Sequence, residues 1–183
     1  MKARKLRFQI IHEAGQPVDH PVTEDRVGTN PSVERVRRAL TAFGGDHRVI
    51  ELAESARTAA DAARALGCRV DQIVKSLVFR GRHTGRAILV GASGANRVNE
   101  SRIAGLLAEP VDKADADFVR ARTGFAIGGV APVGHAEPLT TLIDEDLFAW
   151  EEIWAAAGHP NTVFRLAPAD LVRMTAGRVV GVK

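Results

Sequence analysis

The stretch IVKSLVFR, Ile73 to Arg80, decides how this chain folds. Valine, isoleucine and phenylalanine favour extended backbone, and successive side chains along a strand point to opposite faces. Ile73, Lys75, Leu77 and Phe79 therefore share one face, and Val74, Ser76, Val78 and Arg80 share the other. The run reads as a buried strand with one discordant residue. If Leu77 and Phe79 point into a core or cleft, Lys75 points there too, and an unpaired buried ammonium is costly. Two arrangements remove that cost. The lysine stem can cover apolar surface while its head reaches water, or the head can face a cleft with a polar occupant. Alternation alone does not choose between them.

The segments on either side give the architecture. GRHTG, residues 81–85, reads as a turn, and RAILVGA, residues 86–92, as the hairpin partner of the lysine strand. Upstream, Thr58 is placed to cap the alanine-rich helix AADAARAL, with Asp61 three residues on as a weak capping box and Gly67 at the end. HRVIEL reads as a strand. Asn30-Pro31 opens a helix in which Val33, Val36, Leu40 and Phe43 keep a helical period, stopped by Gly44-Gly45. Downstream, SRIAGLLAE and ADFVRAR read as helices and LTTLID as a strand. LFAWEEIWAAAG reads as a helix ending at Gly158, then NTVFRLA as a strand, PADLVRMT as a helix and RVVGVK as a strand. Hairpins mixed irregularly with helices predict an α+β fold. Residues 1–30 lack sustained periodicity and are rich in turn formers and charge. They are expected to form a loosely ordered extension, with KLRFQII as a short added strand, and the domain is expected to run from 31 to 183.

Composition bounds the partners. The chain has 183 residues, 45% hydrophobic and 26% charged, as in a soluble globular domain. A net charge of +3 permits an anionic partner such as RNA without demanding one. Basic residues gather at Lys2, Arg4, Lys5 and Arg7, and again at Arg35, Arg37 and Arg38. With no tyrosine and few aromatic residues, a stacking platform for single strands is not expected. Cys68 is the only cysteine, so neither an internal disulfide nor a cysteine-rich zinc site can form. No segment approaches the roughly 18 apolar residues of a membrane span, and the apolar part of the N-terminus is short for a signal peptide. A cytoplasmic protein that does not engage a membrane is expected.

A second unusual feature is TGFAIGGVAPVGH, residues 123–135, where Gly124, Gly128, Gly129 and Gly134 surround Pro132. Successive N–H groups in such a loop can cradle an anion or a developing oxyanion, although a plain surface turn has the same composition. The loop lacks the lysine-serine or lysine-threonine ending of a nucleotide P-loop and the spacing of a dinucleotide fingerprint. Asp144 ends LTTLID, where its carboxylate can orient a substrate amine or hydroxyl, or cap the helix after it. His135 and His159 have no partner at metal-ligand spacing and read as loop residues. No G-x-S-x-G elbow is present, so Ser76 and Ser93 are poor nucleophiles.

Taken together, TAADAARALG, QIVKSLVFRG, TGFAIGGVAPVGH, LIDEDLF and AAGHPNTVFRLAPADLVRMT resemble the YbaK/EbsC family in order and spacing, from about Ser32 to the C-terminus. These are relatives of the prolyl-tRNA synthetase editing domain. The resemblance implies a mixed, barrel-like β-sheet surrounded by helices. It also implies trans-editing without metal or cofactor: hydrolysis of the ester joining a wrong amino acid, such as Cys or Ala, to the 3′ end of tRNA(Pro). Prolyl-tRNA synthetase becomes an expected partner beside aminoacyl-tRNA. By the family's motifs, Lys75, Gly128 and Asp144 take catalytic roles. Ser76, Gly129, Val130, Ala131, Pro132, Gly158 and His159 bind substrate, with His159 standing where the family carries a small polar residue. A non-catalytic tRNA- or synthetase-binding module of the same fold is the alternative. The assignment expects Lys75 to face a cleft within reach of Gly128–Pro132.

Overall fold

The computed structural model describes residues 30–53, 56 and 58–183. The extension, its basic cluster and KLRFQII therefore lie outside the described residues, apart from Asn30. Five helices and eight strands are present among the described residues. In chain order they are α1 Pro31–Phe43, β1 Val49–Glu51, α2 Ala59–Leu66, β2 Ile73–Gly81, β3 Ala87–Ser93, α3 Glu100–Leu107, β4 Val111–Lys113, α4 Ala116–Thr123, β5 Thr140–Asp144, β6 Ile153–Ala156, β7 Thr162–Leu166, α5 Pro168–Thr175 and β8 Arg178–Val180.

The helices start where their sequences supply a cap. Asn30 accepts from the Ser32 N–H with Pro31 in the first turn, Asn99 accepts from Arg102, and Asp115 from Phe118. Thr58 and Asp61 form a reciprocal capping box on α2. Each such cap contributes about 1 kcal/mol. Gly67 closes α2 in the left-handed conformation. Cys68 beyond it is half-buried, and burial pushes its thiol up to about 11, as expected of a structural cysteine and not a nucleophile.

The sheet is mixed, in the order β1-β7-β6-β2-β3-β5-β8, with β4 paired to β2 beside that path. β2 and β3 form the expected hairpin, from Val74 opposite Ser93 to Arg80 opposite Ala87. β6 runs parallel to β2, and β5 runs parallel to β3. Five strands send one face into a single core: Val74, Leu89, Ile143, Ile153, Ala155, Phe164 and Leu166 meet Val36 and Leu40 of α1, Val119 of α4 and Leu171 of α5. Strands so far apart in the order can share a core only if the sheet curves around it, which gives the barrel-like form, although no pairing joins β1 to β8 among the described residues. The opposite face packs Phe79, Ile88, Val90, Ala92 and Leu142 under Ile103 of α3. α2 covers Ile73, Trp154 and Val163.

One expected element is overturned. LFAWEEIWAAAG is not a helix: Glu145–Ala149 forms a short 3-10 turn and Ile153–Ala156 is strand β6. Ile153 and Ala155 enter the main core while Trp154 faces α2, a period of two. β6 is held between β2 and β7, where ladder hydrogen bonds outweigh the helix propensity of three consecutive alanines. Gly158 accordingly ends no helix and sits in the turn from β6 to β7.

Candidate functional site

The cover over the central strand is incomplete at one level. Val74 and Phe79 are buried, whereas Lys75, Ser76, Leu77 and Val78 between them are all half-buried. Four such residues in succession mean that both faces of β2 are partly open there. The facing residues on β3 are small and buried. Ala92 of β3 stands opposite Lys75, and Gly91 opposite Ser76. The Ser76 hydroxyl oxygen is shielded from solvent yet has no hydrogen-bond partner.

Register places Asp144 beside this opening. β5 runs parallel to β3 with Val90 beside Leu142 and Gly91 beside Ile143. One step further, Asp144 comes level with Ala92 on the face that carries Lys75. Asp144 is fully buried. Its carboxylate accepts from the Ser93 N–H (3.0 Å), the Asn96 side-chain amide (2.7 Å) and the Asp146 N–H (3.2 Å). Asp144 thus caps the 3-10 turn, as one of its two sequence readings has it, and lies buried on the Lys75 face. The Lys75 ammonium donates to the Asn96 carbonyl at 2.5 Å. Burial pulls Lys75 below the ordinary lysine range, and the Asp144 charge opposes that shift. Asp146 accepts from Asn96 (2.8 Å) and pairs with Lys183 (2.5 Å). The Lys183 and Asn96 bonds hold its carboxyl below the usual range.

The other half of the site is made of backbone. A Cβ on Gly129 would lie 3.0 Å from the carbonyl carbon and oxygen of Gly158 and from the His159 Cα. Gly129 can therefore be only glycine without displacing main chain. Gly158 has φ 95°, and a Cβ there would meet the Ser32 carbonyl at 2.7 Å. The start of α1, the β6–β7 turn and the glycine loop thus converge on Gly158. Val130 and Ala131 are buried in the main core, on the Val74 side of β2. His135 Nε2–H donates to the Ala131 carbonyl (2.7 Å) and braces the loop from behind, while burial lowers its pKa and favours the neutral ring. The His159 ring sits against the Asn161 side-chain oxygen, and the main-chain N–H of His159 donates to the Thr162 hydroxyl (3.1 Å).

The two halves lie on opposite faces of β2, with Lys75 and Asp144 on one and Val130 and Ala131 on the other. Ile73 stands beside Trp154 and Val74 beside Ala155. One step on, Lys75 comes level with Ala156, two residues before Gly158. The hydrogen bond that Lys75 makes goes to Asn96, and none among the described residues joins it to Gly128–Pro132, the loop it was expected to reach. Sequence reasoning missed Asn96 and Ser32. Asn96 belongs to no motif, and Ser32 acts only through its backbone.

Known proteins converge on one family. A model of the aminoacyl-tRNA editing domain matches residues 53–174. YwhH of Bacillus subtilis (strain 168), a protein of uncharacterised activity, is 28% identical over 148 residues, 81% of this chain and 94% of that one. The proline–tRNA ligase of Limosilactobacillus fermentum is 30% identical over 123 residues, 61% of this chain but 22% of the ligase. A solved structure described as a candidate trans-editing enzyme for prolyl-tRNA synthetase is 46% identical, with a TM-score of 0.80 over 84% of this chain and 98% of that one.

Proposed function

Because the chain belongs to the aminoacyl-tRNA editing domain family, we propose that it acts in trans to hydrolyse mischarged aminoacyl-tRNA. The substrate proposed is tRNA(Pro) carrying a small wrong amino acid such as Cys or Ala. The observation that carries this reading is the half-buried Lys75 in mid-β2, on one face of the sheet with buried Asp144, while the loop closed at Gly129 lies on the other face of β2. An aminoacyl ester is already activated, so its hydrolysis needs mainly a positioned water or ribose hydroxyl and a stabilised oxyanion.

Lys75 supplies fixed positive charge for the phosphate or ribose of the terminal adenosine. The N–H of Gly129 is taken by the Ala126 carbonyl (3.0 Å), which tightens the loop tip. Among the described residues no hydrogen bond takes the N–H of Gly128 or Val130, and these are the donors offered to the scissile carbonyl. The unpaired Ser76 hydroxyl serves the aminoacyl group. Gly158 and His159 close that side, while Asp144 fixes the floor beside Lys75. Amino-acid choice by pocket size discriminates weakly, about 10–200-fold per methylene, so the tRNA itself must add selectivity. The match to part of a proline–tRNA ligase supports prolyl-tRNA synthetase as a partner, and the cytoplasm is the proposed place of action. No helix among the described residues is long and apolar enough to cross a membrane.

A panel of tRNAs charged with Ala, Cys or Ser tests the reading. Release of amino acid above the buffer rate from at least one of them is expected. Salt-sensitive tRNA binding without turnover on any would replace the enzyme with a binding module.

A further inference from the structure

Lys75 and Asp144 lie on one face of the sheet and feel each other's charge, yet the ammonium bonds Asn96 and so does the carboxylate. We propose that Asn96 is a positioning residue, which insulates Lys75 from Asp144 and so leaves the ammonium free to meet an anionic substrate group in the cleft. The proposal rests on the editing reading of the site and assigns one residue's part in it.

The argument is one of donors and acceptors. A side-chain amide nitrogen has two N–H bonds. In Asn96 they go to Asp144 (2.7 Å) and to Asp146 (2.8 Å). Both neighbours are acceptors, so the nitrogen assignment of this amide is fixed by its surroundings. The Asn96 carbonyl accepts the Lys75 ammonium, and its own N–H closes a turn onto the Ser93 carbonyl (3.0 Å). Every polar group of the residue except its side-chain oxygen is thus committed to the cluster. An aspartate here would set a third carboxylate against two others. An alanine would leave the buried Asp144 oxygen with the Ser93 N–H alone, one donor fewer for a buried charge. Two flexible ammonium groups can fill the gap: Lys183, already on Asp146, and Lys75, which would have to leave the Asn96 main-chain carbonyl that an alanine retains. A lysine drawn down onto Asp144 no longer offers its charge to the cleft.

The test tracks the Lys75 side chain by NMR through an alkaline titration of the full chain. It compares wild type, Asn96→Ala, Asp144→Asn and the double variant. The Lys75 midpoint should rise in Asn96→Ala, because direct contact with a carboxylate favours the charged form. That rise should vanish in the Asp144→Asn background. Deacylation should fall in parallel: kcat by about tenfold or more, since a misplacement of about 1 Å can cost 10²-fold, with KM less affected. On the Asp144→Asn background, Asn96→Ala should cost less than about twofold, as expected when one residue acts through the other. An unchanged midpoint in Asn96→Ala, or a rise that persists without Asp144, overturns the proposal. Should Asn96→Ala not fold, Asn96→Ser keeps one donor and should show a smaller rise, and no rise there also overturns it. If no variant, wild type included, deacylates any tRNA, the proposed function fails while the titration still decides the role of Asn96.

Discussion

The two halves of the site are held by opposite means. Around Asn96, a lysine, an asparagine and two aspartates fix one another through directed hydrogen bonds. Around Gly129 and Gly158, the chains close because side chains are missing and backbone meets backbone. The first half should respond to charge and pH and tolerate changes of volume nearby. The second should respond to a single added methyl and ignore charge. A catalyst for an activated ester needs both, a fixed charge for the substrate's anionic end and rigid donors for the oxyanion.

Several substitutions sharpen or break this contrast, beginning with the largest effect. Gly129→Ala puts a Cβ against the main chain of Gly158 and His159. Its deacylation rate should drop on the order of 10²–10³-fold, the range seen for loss of one oxyanion donor, while the Lys75 titration stays put. A full rate in Gly129→Ala removes the glycine loop from the site. Gly158→Ala combines a positive φ with a 2.7 Å approach to Ser32. It should cost about 2–3 kcal/mol in denaturant unfolding, the strain of an unfavourable backbone region plus displacement of α1. Gly128→Ala has φ 90° but open space, its nearest neighbour being Pro160 at 3.7 Å. It should cost only about 1 kcal/mol, so equal losses at 128 and 158 would deny that close packing matters.

The smallest effect belongs to the charged half. Lys75 lies below the ordinary value of 10.5 because of burial, with Asp144 pulling the other way. The rate in excess of buffer should therefore decline at alkaline pH before 10.5. Asp144→Asn removes the opposing charge and should move that decline to lower pH, read from kcat/KM. The reverse shift would show that Asp144 is not the charge Lys75 feels. Stability has its own sign. With its folded pKa depressed, Lys75 makes the folded chain bind fewer protons than the unfolded chain between the two values, so its contribution rises with pH through that window.

Much of this was legible in the residues, for identifiable reasons. Alternation in IVKSLVFR singled out Lys75 because a strand's period of two puts it on the face of Ile73, Leu77 and Phe79, though it left open where the ammonium goes. Asn30, Thr58 and the glycine at 67 marked helix ends because capping is local chemistry. β6 was hidden because alanine suits both core faces and helices, and only its place between β2 and β7 decides it. β4 escaped because three residues show no period. Asn96 was invisible for a different reason: its role exists only where the ends of β2, β3 and β5 come together. The backbone of Ser32 against Gly158 is equally a product of the fold, and α1 lies before the segment that the family model matches.

The central claim is that Lys75 belongs to a working deacylase site. It is tested most directly by the release of alanine or cysteine from mischarged tRNA(Pro), with wild type and Lys75→Ala run side by side. Wild type should exceed the buffer rate, and Lys75→Ala should fall short of wild type by on the order of 10²-fold, a loss typical of removing a group that positions or stabilises charge. Equal release by both proteins, whether at the buffer rate or above it, would contradict the account.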